Sequence, residues 1–379
     1  MTKKSERHSY LQNINRLVIK LGSNILTTNQ GLNVTVIRHL AMQVHQLIEK
    51  GKQITIVSSG AMAAGMRKLN LASRPSEIPL KQAIAAIGQA GLIQEYEKAF
   101  EFFDHKVAQV LLTRTDLSNR TRYLNARNTI RALLDWNVTP IINENDTVAI
   151  EEIKFGDNDQ LSAMIALMLN ADLLINLTDI DGLFDKDPRK HDDAVLIPMV
   201  SSFTRDLENC ASGIPGTLGT GGMLTKIKAA QKVTTAGIPM VIAKASMDVL
   251  NQLLDCQNVG TFFVPKNQKM KNRKCWIAFS KKTRGYIQID DGARNAILKK
   301  GTSLLPIGVI GVKGKFSIGD AISVETQSGQ DIATGLTNYS SEDIQLIMRK
   351  KSHEIEQILG EKPYDEIIHR DNMVITRNK

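Results

Sequence analysis

The chain has 379 residues, 42% of them hydrophobic, and a formal net charge of +9. That length suits two domains and buries a sizeable core. No apolar run approaches a membrane span, the start MTKKSERHSYLQNINR lacks the apolar stretch of a secretion signal, and Cys210, Cys256 and Cys275 fit neither a disulfide framework nor a zinc site, so a cytoplasmic protein with reduced thiols is expected.

Short runs rich in Val and Ile come first in the chain. LVIKL (17–21), ITIVSS (54–59), VAQVLLT (107–113), VTPIIN (138–143), DLLINLT (172–178) and PMVIA (239–243) read as buried strands. Helical patterns such as VIRHLAMQVHQLIEKG and TIRALLDW lie between them. This alternation predicts an α/β domain, an open and mostly parallel sheet sandwiched by helices. Ligands of such sheets bind at the carboxyl ends of the strands, so the residues just after each strand matter most.

At 265–274 the sequence PKNQKMKNRK loses apolar periodicity and reads as a linker or exposed crossover. Beyond it GYIQID, SLLPIGVIGVKG, AISVET and DIATGLTNY read as short strands, with DDGARNAILKKG and SSEDIQLIMRKKSHEIEQILG as the helical patterns. A small, mostly β module is expected. The domains would be 11–265, a linker 266–275, the module at 276–361 and a C-terminal tail at 362–379. From Lys266 onward 20 Lys+Arg stand against 13 Asp+Glu, compared with 28 and 26 before it. The basic excess thus lies mostly in the C-terminal third, as a nucleic-acid footprint or as plain solubility.

Several strand ends carry more polar groups than a turn needs. Lys20 stands inside an apolar run ahead of Gly22; it either faces an anion or snorkels to solvent. Ser58-Ser59-Gly60 opens a helix, as an anion site or a tight turn. Asn143-Glu144-Asn145-Asp146 follows the fourth strand, and Thr178-Asp179 ends the fifth. The stretch Asp179-Ile180-Asp181-Gly182 faintly resembles a calcium loop, but Lys190 stands where the twelfth-position Glu belongs. In GDNDQLSAMIA (156–166), Asp157, Asn158 and Asp159 precede a helix, three polar residues where one cap suffices. GIPGTLGTGGMLTK (213–226) is neither a Walker A motif nor a dinucleotide fingerprint. It is a glycine loop leading through Lys226 into a helix, either a phosphate site or a mobile surface loop. Lysines, glycines, Asp and Asn without an activated Ser–His or Cys–His pair fit phosphoryl transfer from a nucleotide, with Mg²⁺ as its companion ion.

The segments VIKLGSNILT, IVSSGAMAAG, INENDTVA, KFGDNDQLSA, LTDIDGLFDKDPR and GTGGMLTKIKAA, in that order, together resemble the amino acid kinase family. Residues from about Trp276 to Gly360 resemble a PUA domain. The resemblance implies an ATP-dependent kinase acting on the side-chain carboxylate of free L-glutamate, the first step of proline synthesis. The kin that use acetylglutamate, aspartate, carbamate or uridylate are disfavoured by NEND, GDND and the appended module. It further implies inhibition by proline and a homodimer or homotetramer; for the PUA module, RNA binding and regulation of the kinase both stay open.

Carried over by position, Lys20 and Lys226 would hold the phosphates and Asp159 would orient both lysines. Ser59, Asp146 and Asn158 would bind glutamate, with Asp157 touching substrate or metal. Thr178, Asp179 and the loop Thr220, Gly221, Gly222, Met223, Leu224, Thr225 and Lys226 would form the nucleotide site. Ser23-Asn24 and Met223-Leu224 depart from the commoner Thr-Ser and Met-Ser, and neither change removes a charge. The family implies no particular direct ligand for Mg²⁺.

Overall fold

The computed structural model describes residues 3–28, 31–149, 158–205, 207, 222–266, 269–279 and 283–375. The chain divides into two compact units, Met1–Lys269 and Met270–Lys379.

In the first unit the strands are β1 (Arg16–Leu21), β2 (Thr27–Thr28), β3 (Gly31–Leu32), β4 (Gln53–Ser58), β5 (Val107–Leu112), β6 (Thr139–Glu144), β7 (Leu173–Thr178), β8 (Met199–Val200), β9 (Met240–Lys244) and β10 (Thr261–Phe263). β2 and β3 form a separate small antiparallel pair. The other eight make one sheet in the order β5-β6-β4-β1-β7-β9-β10-β8. β5, β6, β4, β1, β7 and β9 run parallel, while β10 turns antiparallel to β9 and pairs in parallel with β8. All six strands expected from the sequence are present. β8 and β10 were not foreseen, because runs of two and three residues are too short to show a period.

The sheet's two faces follow from the two-residue repeat of a strand. Leu17, Ile19 and Leu21 of β1 and Leu173, Ile175 and Leu177 of β7 join one core with Ile37, Leu40 and Val44 of the helix Val34–Glu49. Leu92 and Tyr96 of the helix Ile78–Glu101 complete it. Lys20 alternates to the opposite face of β1, where the helix Asn158–Leu169 packs. Asn176 and Thr178 of β7 share that face by the same parity. The chain steps from β1 to β4 on one side and later returns to place β7 on the other. The crevice between the carboxyl ends of β1 and β7 is therefore the switch point at which sheets of this kind bind ligands.

The small residues after Ser59 have a packing cause. A Cβ on Gly65 would come within 1.9 Å of the Ile84 carbonyl oxygen, and one on Gly88 within 1.8 Å of that of Ala61. The helices Ala61–Lys68 and Ile78–Glu101 touch backbone to backbone there, which only glycine permits.

The second unit is a five-stranded sheet of β11 (Tyr286–Ile289), β12 (Val309–Lys313), β13 (Ala321–Thr326), β14 (Asp331–Leu336) and β15 (Met373–Ile375), in the order β12-β11-β13-β14-β15. Ile287, Val309, Ile322, Val324, Ile344 and Ile368 belong to its core.

Three expectations change here. The basic stretch read as a linker ends in a helix, Asn272–Phe279, that buries Cys275, Trp276 and Ile277. The tail expected at 362–379 supplies β15 to the sheet and Ile367, Ile368 and Met373 to the core. The long helical pattern after Ser340 breaks at Arg349, whose φ of 63° and hydrogen bond to the Pro306 carbonyl end the helix Ser341–Ile347. Among the described residues no helix is long and apolar enough to cross a membrane.

Candidate active site

The helix Asn158–Leu169 sets Asp159 in its first turn, fully buried against the sheet. A lone buried carboxylate would be costly, so its partners are informative. Lys20 Nζ lies 2.5 Å from Oδ1 and Lys226 Nζ 3.1 Å from Oδ2. Asn176 Nδ2 donates to Oδ1 at 2.7 Å, and the Thr225 hydroxyl stands 2.8 Å from Oδ2. Two ammonium groups from distant parts of the chain thus share one carboxylate at the switch point. Breaking such a buried set by removing one member costs about 3–5 kcal/mol.

Each lysine arrives by a simple device. Lys20 is brought to Asp159 by the end of β1, and a Cβ added at Gly22 would make only an ordinary contact, 3.7 Å, with its Nζ. Lys226 is in the opening turn of the helix Met223–Thr235, whose N-cap, Gly222, is extended at φ −99°. That turn sets the positive end of the helix dipole beside the ammonium. Thr225 Oγ1 is also 2.8 Å from the Gly222 carbonyl, which ties the turn together. Gln160 donates to the Thr225 carbonyl at 3.2 Å and accepts from Lys232 at 2.9 Å, so the two helices are stitched beside the centre. Burial, helped by the Arg114 charge, pushes the Lys232 ammonium down to about 8.

A second group lies at the ends of β4 and β6. Asn158 Nδ2 is 2.9 Å from the Ser58 carbonyl, from Ser59 Oγ and from Asn143 Oδ1. Asn143 donates in turn to Gln89 at 2.8 Å. Gly60, at φ 107°, turns the chain from Ser59 into the helix Ala61–Lys68, a conformation that favours glycine. Asp146 is half-buried in the turn after β6.

A third group follows β7. The Asp179 carboxylate accepts from the Thr178 hydroxyl at 2.9 Å and from Asn24 Nδ2 at 3.1 Å. Partial burial opposes its ionisation, but these hydrogen bonds and the Lys226 charge outweigh it and hold its pKa below the ordinary carboxylate value. Past it, Asp187 accepts a two-pronged contact from Arg189 at 3.1 and 3.2 Å.

The structure therefore brings Lys20, Asp159, Thr225 and Lys226 into direct contact, places Asn158 on Ser59, and sets Thr178 and Asp179 at the neighbouring strand end. Met223 is buried and Leu224 half-buried in the first turn of their helix. Asp157, Thr220 and Gly221 lie outside the described residues. Asn176, Gln89 and Gln160 were not singled out beforehand, and Asn143 only as part of the polar run after the fourth strand. Asn176 had a visible signal, an amide in the middle of the apolar strand LLINLT.

The amino acid kinase family matches residues 15–244, well over half of the chain. This chain belongs to the amino acid kinase family. A PUA domain matches residues 285–359 in the second unit. Among curated relatives in this family, a glutamate 5-kinase of Caldanaerobacter subterraneus is 50% identical over 95% of this chain and 97% of its own. One of Syntrophus aciditrophicus is 48% identical over 98% and 97%, and one of Geobacter sulfurreducens 49% identical over 97% and 100%. Every segment that carries the kinase chemistry in the amino acid kinase reading falls inside the matched range, while the PUA match begins beyond β10.

Proposed function

We propose that this chain is a glutamate 5-kinase, transferring the γ-phosphoryl group of ATP to the side-chain carboxylate of L-glutamate to give γ-glutamyl phosphate and ADP. The observation that carries the proposal is the buried Asp159 gripping both Lys20 and Lys226 at the carboxyl edge of the sheet. Full-length similarity to glutamate 5-kinases supports the choice of acceptor.

The reaction brings two anions together. A pair of unit charges about 4 Å apart repels by roughly 4 kcal/mol at an effective dielectric near 20, and a terminal phosphate carries more than one charge. Lys20 and Lys226 offset that repulsion, and Asp159 keeps both ammonium groups in place before the substrates arrive. The glutamate carboxylate is already ionised, so its oxygen attacks the γ-phosphorus without a general base. The bond from phosphorus to the β–γ bridging oxygen breaks, and its electrons leave with ADP. Catalysis is then positioning and charge neutralisation.

Asn158, Ser59, Asp146 and Asp157 are assigned to glutamate. Thr178, Asp179 and the turn from Thr220 to Lys226 are assigned to the nucleotide. ATP-dependent chemistry in this family calls for a divalent metal, and Mg²⁺ is the ion we assign. Asp159 directs both carboxylate oxygens at lysine, asparagine and threonine donors, which fits an anchor for lysines better than a metal ligand. Asp179, whose carboxylate is held in its ionised form beside the nucleotide turn, is the residue that would hold Mg²⁺. Bound there, Mg²⁺ would neutralise phosphate charge.

The cytoplasm is the expected location, proline the expected inhibitor and a homodimer or homotetramer the expected assembly. The PUA domain, with the basic excess of the C-terminal third, favours RNA as an additional partner of the full chain. Its affinity for RNA would fall steeply with salt, and a flat salt dependence would count against phosphate contacts. The test of the enzyme is an ATP-dependent hydroxamate assay run in parallel with glutamate, aspartate and acetylglutamate. Product with glutamate alone supports the proposal; product with acetylglutamate alone overturns it.

A further inference from the structure

The opposite edge of the main sheet carries a cluster that phosphoryl transfer does not use. His45 and Glu49 are one turn apart on the helix Val34–Glu49, whose end leads into β4. His105 lies in the connection from the helix Ile78–Glu101 to β5, two residues before that strand begins. Both connections enter strands at their amino ends, so the cluster is at the edge away from Asp159 and the lysines. His45 Nδ1 and His105 Nε2 are 2.8 Å apart. A ligand atom of each histidine and a carboxylate oxygen of Glu49 all lie within 4.8 Å of one another. Among the described residues this is the group of His, Cys, Asp and Glu side chains with the spacing a metal ion needs.

We propose that His45, His105 and Glu49 form a metal site of the zinc type, with a fourth position open to water. Two imidazole nitrogens and one carboxylate oxygen are a donor set that zinc takes readily, and one that Mg²⁺ does not prefer. The geometry is close to what binding requires. Tetrahedral zinc holds two nitrogens about 3.3 Å apart at Zn–N lengths near 2.0–2.1 Å. The rings thus need to open by about 0.5 Å. A hydrogen bond between two imidazoles requires a lone pair on one of the facing nitrogens, so the pair already presents a ligand atom at the shared point. His45 is held by stacking on Phe103, with ring centroids 4.8 Å apart and an 18° tilt, which fixes its ring plane. Glu49 is exposed, and its side chain can swing to close the triangle. The three ligands come from two segments far apart in the chain, so the ion would clip the first long helix to the entry of β5.

The test uses the full chain, stripped with a chelator, with Zn²⁺ as the probe and no nucleotide present. Competition against a chromophoric chelator should show one zinc per chain with a Kd of micromolar or tighter. Zinc should raise the Tm where Mg²⁺ at the same concentration does not. His105→Gln and His45→Gln should each weaken binding by more than about 10–100-fold, the range already reached when only an outer partner of a zinc ligand is lost. Exposed Glu49→Gln, which leaves the ring pair intact, should weaken it with the apo Tm unchanged. Co²⁺ should give the visible absorption of a four-coordinate site in the wild type and lose it in His105→Gln. Absence of zinc uptake by the wild type overturns the proposal. So does unchanged stoichiometry and affinity in the His45→Gln/His105→Gln double variant, which would place the zinc elsewhere.

Discussion

The helix Asn158–Leu169 has an aspartate at each end, and the two differ in what they hold. Asp159 at its start is fully buried and grips two lysines, an asparagine and a threonine, all by their side chains. Asp172, just past its end, is partly exposed and accepts from Lys269 at 2.8 Å and from the backbone N–H groups of Asn15 and Arg16 at 3.0 Å. Asp172 pins the entrance of β1 beside that of β7, so its partners are the backbone it organises. Asp159 organises two buried lysine ammonium groups at the exits of the same strands. One carboxylate serves the sheet and the other serves what the sheet presents, and the kind of donor distinguishes them better than the charge does.

The largest effect should separate the two. Asp159→Asn should lower kcat for γ-glutamyl phosphate formation by about 10³-fold, the upper range for losing one preorganised electrostatic group. Asp172→Asn should stay within about twofold, because its partners stand apart from the reacting atoms. Equal losses in a hydroxamate assay would erase the distinction. Next in size, Asn158→Ala should raise KM for glutamate about tenfold with a smaller change in kcat, the pattern of lost uniform binding. A pure kcat effect would instead assign Asn158 to the transition state.

Asp172→Asn should cost about 1 kcal/mol of stability in a urea titration at pH 7, a hydrogen-bonded pair being only partly shielded from water. The contribution has a definite pH sign. Partial burial opposes ionisation of Asp172, but Lys269 and the two backbone N–H groups hold its pKa below the ordinary value. Its stabilisation is therefore complete above about pH 4, near the unfolded value, and is lost as pH falls through the lower native one. Wild type and variant should converge in stability in acid.

A second pH-dependent effect concerns Lys232. Its native value of about 8 is below its unfolded one, so between about pH 8 and 10 the unfolded chain binds more protons than the folded one. Stability of the wild type relative to Lys232→Met should rise across that window, read from urea midpoints. A constant difference would mean that Lys232 keeps its ordinary proton affinity when folded.

Much of this was legible beforehand because strands and strand ends carry strong local signals. Lys20 in LVIKL and the polar run after 156 could be noticed only because the residues around them are apolar. What sequence periodicity could not supply was the pairing across the sheet. Asn176 meets Asp159 through the register of β1 with β7, and Gln89 meets Asn143 across the fold. The edge strand β8 and its neighbour β10 were missed because they are too short to show alternation. The final strand β15 was read as tail because MVI sits among charges, and only its pairing with β14 gives it a face to bury. His45 and Glu49 carry no metal signal in the sequence, because their third partner, His105, comes from another connection far along the chain.

The central claim is that the ammonium of Lys226, steadied by Asp159, offsets charge on the phosphoryl group during transfer. The most direct measurement is a rapid-quench single turnover at saturating ATP and glutamate, comparing wild type with Lys226→Ala. We expect the rate of γ-glutamyl phosphate formation to fall by about 10³-fold or more, as when a charge-stabilising arginine is withdrawn from a phosphoryl-transfer site. A single-turnover rate within a few fold of wild type, in a variant that still folds, would contradict it.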